Sequence, residues 1–261
     1  MRTICIIPAR MASSRFPGKP LVPLLGMPMI LHLWHRCRLY PEFERIVVAT
    51  CDREIFGTVR AAGGEAIMTL DTHPGCVDRT DEAIAKLDLG LDERDLVLMV
   101  QGDEILVGPD MLARIAEAYR ETRPPVVNLA SRIYRTRDHD DPNVVKVVFG
   151  ADGNAIYMSR APIPSRARVA DVPMYQQTGV IGFSAPFLHR FGQIERTPLE
   201  KLEMIDMLRV IENHLPVRIV TTDTETIGVD TKADRDRAEQ VLATDPLVRK
   251  YLAVPVAAGS G

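Results

Sequence analysis

Short apolar runs alternate with helix-periodic stretches through the first half of the chain. Ile4 to Ile7 is an unbroken apolar run of strand length, and Pro8, which cannot donate to a ladder, is expected to end it. Arg45 to Thr50, around Ile46-Val47-Val48-Ala49, is a second run, and Glu65 to Thr69 a third. Asp95 to Val100 is the clearest central strand. Between these runs, Met29 to Tyr40 carries Met29, Ile30, Leu33, Trp34 and Cys37 at helical spacing. Ile55 to Ala62 reads as a short helix closed by Gly63-Gly64, and Thr80 to Leu87 as another helix. Pro109 to Glu121 is amphipathic through Met111, Leu112, Ile115 and Ala118. Strand and helix in alternation predict an α/β fold with a mainly parallel sheet and crossover helices.

The rhythm changes at Pro124. Strand-like runs at Val126 to Ala130, Val144 to Phe149, Ala155 to Met158 and Val180 to Ser184 follow one another with short or polar connections. This predicts an inserted antiparallel section over 124–198. Leu199 to His214 returns to helix, with Leu202, Ile205, Leu208 and Ile211 on one stripe. A strand at Val217 to Thr221, a turn at Gly228 to Thr231 and a helix at Lys232 to Leu242 complete the pattern. We expect one domain over 1–252 and a loose tail over 253–261.

Composition narrows the classes. A chain of 261 residues with 46% hydrophobic residues can bury a full core. A net charge of -3 argues against nucleic acid or an anionic membrane held by bulk charge. Ile4 to Ile7 is too short for a signal peptide, and no apolar run approaches membrane-spanning length. Cys5, Cys37, Cys51 and Cys76 have no paired Cys-x-x-Cys spacing, so core thiols in a reduced cytoplasm are expected.

Candidate chemistry begins after the first strand. The segment from Ala9 to Leu21 places Arg10, Arg15 and Lys19, with Ser13 and Ser14, in a loop framed by Pro17, Gly18 and Pro20. Three cations and free backbone N–H groups at the end of a buried strand suit a polyanion. The arginine fork donates two hydrogen bonds at once to phosphate, and lysine acts as a point charge. A solvated basic turn is the plainer reading of any one of them. The loop is no Walker sequence, because its first glycine is missing and Pro20 follows the lysine.

At the end of the central strand, Gln101-Gly102-Asp103-Glu104 delivers a carboxylate where open α/β sheets bind ligands. Asp103 reads either as a helix cap or as a magnesium ligand.

Ile7-Pro8-Ala9-Arg10, Ser13-Ser14-Arg15 and Pro17-Gly18-Lys19-Pro20-Leu21 resemble the opening of the 3-deoxy-manno-octulosonate (Kdo) cytidylyltransferases, also called CMP-Kdo synthetases. The likeness runs from Ile6 to about Ala238. It implies a Rossmann-like fold of the nucleotide-diphospho-sugar-transferase kind, with Ala9, Arg10, Ser13, Ser14, Arg15 and Lys19 gripping CTP. Gln101 and Asp103 match the family's metal motif, and Gly228-Val229-Asp230-Thr231 its late motif, so Asp103 and Asp230 would share Mg2+. Arg10, Arg15, Lys19 and Asp103 would then be the catalytic set. The segment Gly75-Cys76-Val77-Asp78-Arg79 keeps only the acidic residue and Arg79 of the family's base-binding motif. Asp141 to Val148 is similar to the segment before the family's dimer-forming insertion, which implies a homodimer.

The acceptor side departs from the family pattern. Gln177, Ile181 and Met207 stand where the family carries histidine, tyrosine and glutamine, while Glu200 and Glu203 are kept. Arg160 and Arg166 offer cations to an acid. A site built for hydroxyls discriminates through paired polar groups. The expectation is therefore CMP transfer to an acidic acceptor other than Kdo, either another sugar acid or a small phosphonate such as phosphonoformate. Kdo itself and a non-catalytic nucleotide-binding scaffold are the alternatives.

Overall fold

The amino-terminal apolar run becomes an interior strand of the sheet in a computed structural model whose described residues are 1–12, 16–169, 172–229 and 231–252. Strand β1 (Thr3–Ala9) is buried along its whole length. It pairs in parallel with β4 (Arg45–Thr50) on one side and β6 (Leu96–Val100) on the other. Pro8 does not end β1. The β6 ladder stops at Ile6↔Met99, so Pro8 and Ala9 pair with β4 alone, and proline is tolerated where one side is open.

A two-stranded ribbon of β2 (Pro23–Leu24) and β3 (Met27–Pro28) precedes helix α1 (Met29–Arg38). Then come α2 (Arg53–Ala61), β5 (Glu65–Met68), α3 (Cys76–Leu87) and α4 (Pro109–Thr122). The second half contributes β7 (Val126–Ile133), α5 (Thr136–Asp140), β8 (Lys146–Phe149), β9 (Ala155–Ser159) and β10 (Met174–Ser184). It closes with α6 (Ala185–Phe191), α7 (Pro198–Glu203), α8 (Met207–Glu212), β11 (Val217–Thr222) and α9 (Lys232–Thr244).

Among the described residues the main sheet runs β11-β7-β10-β6-β1-β4-β5, with β8 and β9 hanging from β10 as a hairpin. Only β10 runs against its neighbours in that path: β10 is antiparallel to β6 and β7, while β11 pairs in parallel with β7. The antiparallel character expected over 124–198 therefore lies in β10 and the β8–β9 hairpin, and β7 belongs to the parallel set. The sheet is covered on both faces, which is why its strands read as continuous apolar runs. Ile4, Ile6, Val97 and Met99 face one core, toward α6 and α8. Cys5, Ile7, Leu98 and Val100 face the other, toward α1 and α4.

Two helices differ from expectation. Helix α3 starts at Cys76, because Val77, Thr80 and Ala83 continue its buried stripe backward. This moves Asp78 and Arg79 from a loop into the first turn. The expected helix over Leu199 to His214 is broken in two at Met204, which adopts a left-handed conformation (φ 56°). The break turns Leu202 out to solvent at 77% exposure and leaves Ile205 and Leu208 buried.

Candidate functional site

The site lies at the carboxyl ends of β1 and β6. The chain leaves β1 for β4 on one side and later returns through β6 on the other, so a crevice opens between the diverging loops. Because β10 is reversed, its first residues reach the same rim. Gln101 N donates to Gly179 O at 2.9 Å. An ideal Cβ on Gly179 would lie 2.6 Å from Gln101 Oε1, so only glycine lets the Gln101 side chain lie there.

The first loop is anchored at both ends. Met11 N donates to Asp52 Oδ2 at 2.8 Å, and Gly18, with φ 76°, donates to Met11 O at 3.0 Å. Lys19 then places Nζ 2.7 Å from Asp103 Oδ2, with both side chains mostly buried. Arg10 stands exposed directly after β1. Phe16 packs against a core cluster that includes Ile105, Ile227 and Val229, which draws the loop, the β6 end and the late turn together. Gly228 bridges to Glu104, and Val229 N approaches Asp103 O at 3.4 Å. Ser13, Ser14, Arg15 and Asp230 lie outside the described residues, as does the 253–261 tail.

Two cavities meet behind this loop. One, of about 390 Å³, is lined by Pro8, Ala9, Arg10, Gly75, Cys76 and Arg79 on one wall and by Glu200, Asp206 and Arg209 on the other. The second, of about 240 Å³, is lined by Asp103, Asn143, Arg160, Gln176, Gln177 and Ile181. Gln101, Met204 and Asp206 line both, so the helix break forms the wall at which the cavities join.

Arg79 is buried and donates through Nη1 to Thr69 Oγ1 and to Leu70 O at 3.1 Å. Burial pushes the Cys76 thiol up to about 12, and the nearby Asp103 and Asp206 charges add to that, so the thiol stays protonated. Burial also pushes Asp206 up to about 6, helped by the charges of Glu200 and Asp78. The Asp206 and Asp78 carboxylates both approach Gly75, each with an oxygen 3.2 Å from an ideal Cβ there.

The expected acceptor residues divide. Arg160 and Gln177 line the smaller cavity, and Gln177 Nε2 is held by Asn128 Oδ1 at 2.9 Å. Glu200 faces the larger cavity instead. It is fully buried and takes hydrogen bonds from Arg209 Nε (2.8 Å), Arg209 Nη2 (2.6 Å) and Arg196 Nε (2.9 Å). Burial works against its charge, but these donors prevail and hold the carboxyl below its usual range. Glu203 and Arg166 line neither cavity. The Glu203 carboxylate accepts from Ser159 Oγ at 2.7 Å and Arg160 N at 2.8 Å, and Arg166 Nη2 pairs with Asp140 Oδ1 at 2.6 Å. Of the three changed family positions, Ile181 and Gln177 reach the smaller cavity, whereas Met207 is buried in the core.

Sequence reading gave no role to Asp206, Gln176 or Thr226. Asp206 sits in a stretch that reads as continuous helix, with no glycine or proline to mark the break. Gln176 and Thr226 meet through long-range hydrogen bonds, from Gln176 Nε2 to Thr226 Oγ1 (2.9 Å) and to Thr226 O (3.3 Å). Among the described residues no group of three His, Cys, Asp or Glu side chains is placed to hold a metal. No helix among them is long and apolar enough to cross a membrane.

A family profile described as Cytidylyltransferase matches residues 4–224. The 3-deoxy-manno-octulosonate cytidylyltransferase of Thermodesulfovibrio yellowstonii is 37% identical over 94% of this chain and 99% of its own length. That of Syntrophobacter fumaroxidans is 42% identical over 94% and 98%. The 8-amino-3,8-dideoxy-manno-octulosonate cytidylyltransferase of Shewanella amazonensis is 38% identical over 94% and 100%. A solved structure of CMP:2-keto-3-deoxy-manno-octonic acid synthetase complexed with CTP superposes with a TM-score of 0.85. It is 30% identical and covers 93% of this chain and 99% of that one.

Proposed function

The chain belongs to the cytidylyltransferase family and is a CTP-dependent nucleotidyltransferase, and from that premise we propose that it transfers CMP from CTP to Kdo with release of pyrophosphate. The observation that carries the proposal is the meeting of two polar cavities at Gln101 and Asp206, one opening on Arg10 and the other on Arg160. A nucleotide in the first would present its α-phosphorus to a hydroxyl held in the second. The expectation of a changed acceptor gives way here. Relatives alike over nearly the whole chain carry the Kdo name, and Met207, one of the three changes behind that expectation, faces the core.

In this reading Arg10, Arg15 and Lys19 balance charge on the triphosphate and on the leaving pyrophosphate. Ser13, Ser14 and the backbone after Ala9 add donors, Arg79 stiffens the wall around the base, and Arg160 attracts the acceptor's carboxylate. The acceptor oxygen forms a new bond to the α-phosphorus as the α–β bridging bond breaks, its electron pair leaving with pyrophosphate, and the hydroxyl proton passes to solvent. The chain's task is alignment, since two held reactants need no covalent enzyme intermediate.

The donor set around Asp103 fits a magnesium ion that arrives with the nucleotide. Magnesium takes one or two carboxylates and completes its shell with phosphate oxygens and water. Asp103 would hold it together with Asp230, whose preceding residue abuts Asp103. Bound there, the ion would neutralise phosphate charge. A homodimer through the 124–198 section and a cytoplasmic location belong to the same proposal. Ile156 on β9 is 63% exposed on that section, and sedimentation would read the assembly state.

A pyrophosphate-release assay with CTP, Mg2+ and a panel of Kdo, 8-amino-3,8-dideoxy-manno-octulosonate and phosphonoformate tests the proposal. Kdo should give the highest kcat/KM. Turnover on phosphonoformate without turnover on either ulosonic acid would overturn it. The 38% identity to an 8-amino-3,8-dideoxy-manno-octulosonate cytidylyltransferase supports one second reading, that the 8-amino sugar acid is preferred.

A further inference from the structure

We propose that Lys146 and Glu203 are positioning residues that set the Arg160 guanidinium for the acceptor's carboxylate. The inference rests on the acceptor reading above and explains how that cation is aimed. Neither residue lines either of the two cavities, yet both grip the chain at Arg160 and beside it.

Lys146 is fully buried on β8. Its ammonium donates to the carbonyls of Asp141 (2.8 Å), Val144 (2.6 Å) and Arg160 (2.6 Å), which uses all three of its protons. The first two carbonyls belong to the stretch that carries Asn143 and Val144 into the acceptor cavity, and the third belongs to Arg160. One buried cation therefore ties two walls of that cavity together. Burying an ammonium against neutral carbonyls is expensive, and a stable core would need no such group.

Glu203 closes the other side. Its carboxylate accepts from Ser159 Oγ (2.7 Å), Arg160 N (2.8 Å) and Tyr157 OH (3.3 Å), and its own carbonyl accepts from Arg160 Nε at 2.7 Å. Arg160 Nη1 donates to Pro142 O at 3.0 Å. Arg160 is thus fixed at its backbone N–H, its carbonyl, Nε and Nη1. Among the described residues its guanidinium hydrogen bonds end on carbonyl oxygens, so its charge is not spent on a salt bridge. A long side chain ordered in advance loses less freedom when an anion binds. Because Glu203 is the last residue of α7 and Met204 follows it at the junction, the same clamp fixes the wall shared with the nucleotide cavity.

The test is steady-state kinetics of the full chain with CTP and Kdo for Glu203→Gln, Lys146→Met, Arg160→Met and the pair Glu203→Gln with Arg160→Met. A glutamine amide cannot accept from every donor that Glu203 serves. Glu203→Gln should raise the acceptor KM about tenfold or more and leave the CTP KM within about twofold, because hydrogen bonds to charged groups carry effects of that size. Lys146→Met should shift the same constant in the same direction. In the Arg160→Met background, Glu203→Gln should add no further rise, a result that general loosening would not give. Equal rises in both KM values, or effects that multiply in the double variant, would overturn the inference. If Lys146→Met fails to fold, the Glu203 pair still decides. An unchanged acceptor KM in Arg160→Met would overturn the acceptor reading itself. A raised KM there with none in Glu203→Gln would overturn only the positioning role.

Discussion

Residues 1–122 hang their cleft side chains on the ends of parallel strands, whereas residues 124–212 hang theirs on a reversed strand, a hairpin and a broken pair of helices. Ala9, Arg10, Gln101 and Asp103 follow directly from β1 and β6, whose residues are buried from end to end. Arg160 and Gln177 are held by hydrogen bonds between segments far apart in sequence, and Asp206 sits at the break between two short helices. The first arrangement fixes charge through the backbone of a rigid core. The second fixes it through a lattice of polar contacts, which single substitutions can loosen. A phosphate tail common to every turnover suits the first, and an acceptor that differs among relatives suits the second.

The largest effect is expected at Asp103, on the rigid side of the cleft. Asp103→Asn keeps the size of the side chain but removes the charge that Lys19 faces at 2.7 Å. On the proposed mechanism kcat should fall by at least about 10³-fold with the fold intact, judged by an unchanged circular dichroism spectrum. A fall of less than about tenfold would move the chemistry away from the β6 end and favour a binding scaffold.

Next in size is the buried pair of Glu200 and Arg209, where the later half reaches into the nucleotide cavity. Arg209→Met leaves Glu200 buried with Arg196 and the Thr197 N–H as its remaining partners, and should cost about 3–5 kcal/mol in urea denaturation. Replacing both residues with methionine should recover much of that loss, because no unpaired charge is then left inside. A loss below about 1 kcal/mol for the single change would mean that Arg196 and the Thr197 N–H suffice to sustain the carboxylate.

A smaller effect separates the broken helix from the continuous one expected from periodicity. Ile205, at 3% exposure, should cost about 2–4 kcal/mol when cut to alanine. Leu202, at 77% exposure, should cost less than about 0.5 kcal/mol. Equal costs would restore the single helix and remove the wall between the cavities.

These contrasts explain what could be read from the chain. Ile4 to Ile7, Ile46 to Ala49 and Leu96 to Val100 were legible because strands covered on both faces need unbroken apolar runs. The cationic loop and Gln101-Gly102-Asp103-Glu104 were legible because phosphate chemistry restricts the residue types. The first part of β10 was not, since Tyr175, Gln176 and Gln177 are only half-buried and carry no apolar signal. Nor was the break at Met204, where a left-handed residue other than glycine or asparagine gives no local mark. The clamp on Arg160 works largely through carbonyl oxygens, which every residue possesses, so no motif announces it. Helix α6 was passed over because its short apolar segment directly continues β10.

Asp206 offers the finest test, because it lies where the two halves meet. It begins α8 without capping it, and burial raises its carboxyl to about 6, with Glu200 and Asp78 adding to the effect. The folded protein therefore binds this proton more tightly than the unfolded chain does. That contribution to stability is complete below the ordinary carboxylate range of about 4, and it is lost as pH rises through about 6. Above pH 6 the folded protein must hold a second negative charge beside Glu200. Asp206→Asn, which never ionises, should then be more stable than the parent at pH 8, by at most about 2–3 kcal/mol for a shift of this size, and close to it at pH 4. Urea denaturation at the two pH values measures the difference. An equal effect at both would mean that the carboxylate is solvated or paired, and the junction would lose its one poorly compensated charge. If the gain appears and kcat/KM falls in the same variant, the chain keeps an unfavourable charge at the joint between donor and acceptor, as expected of a group that serves the reaction more than the fold.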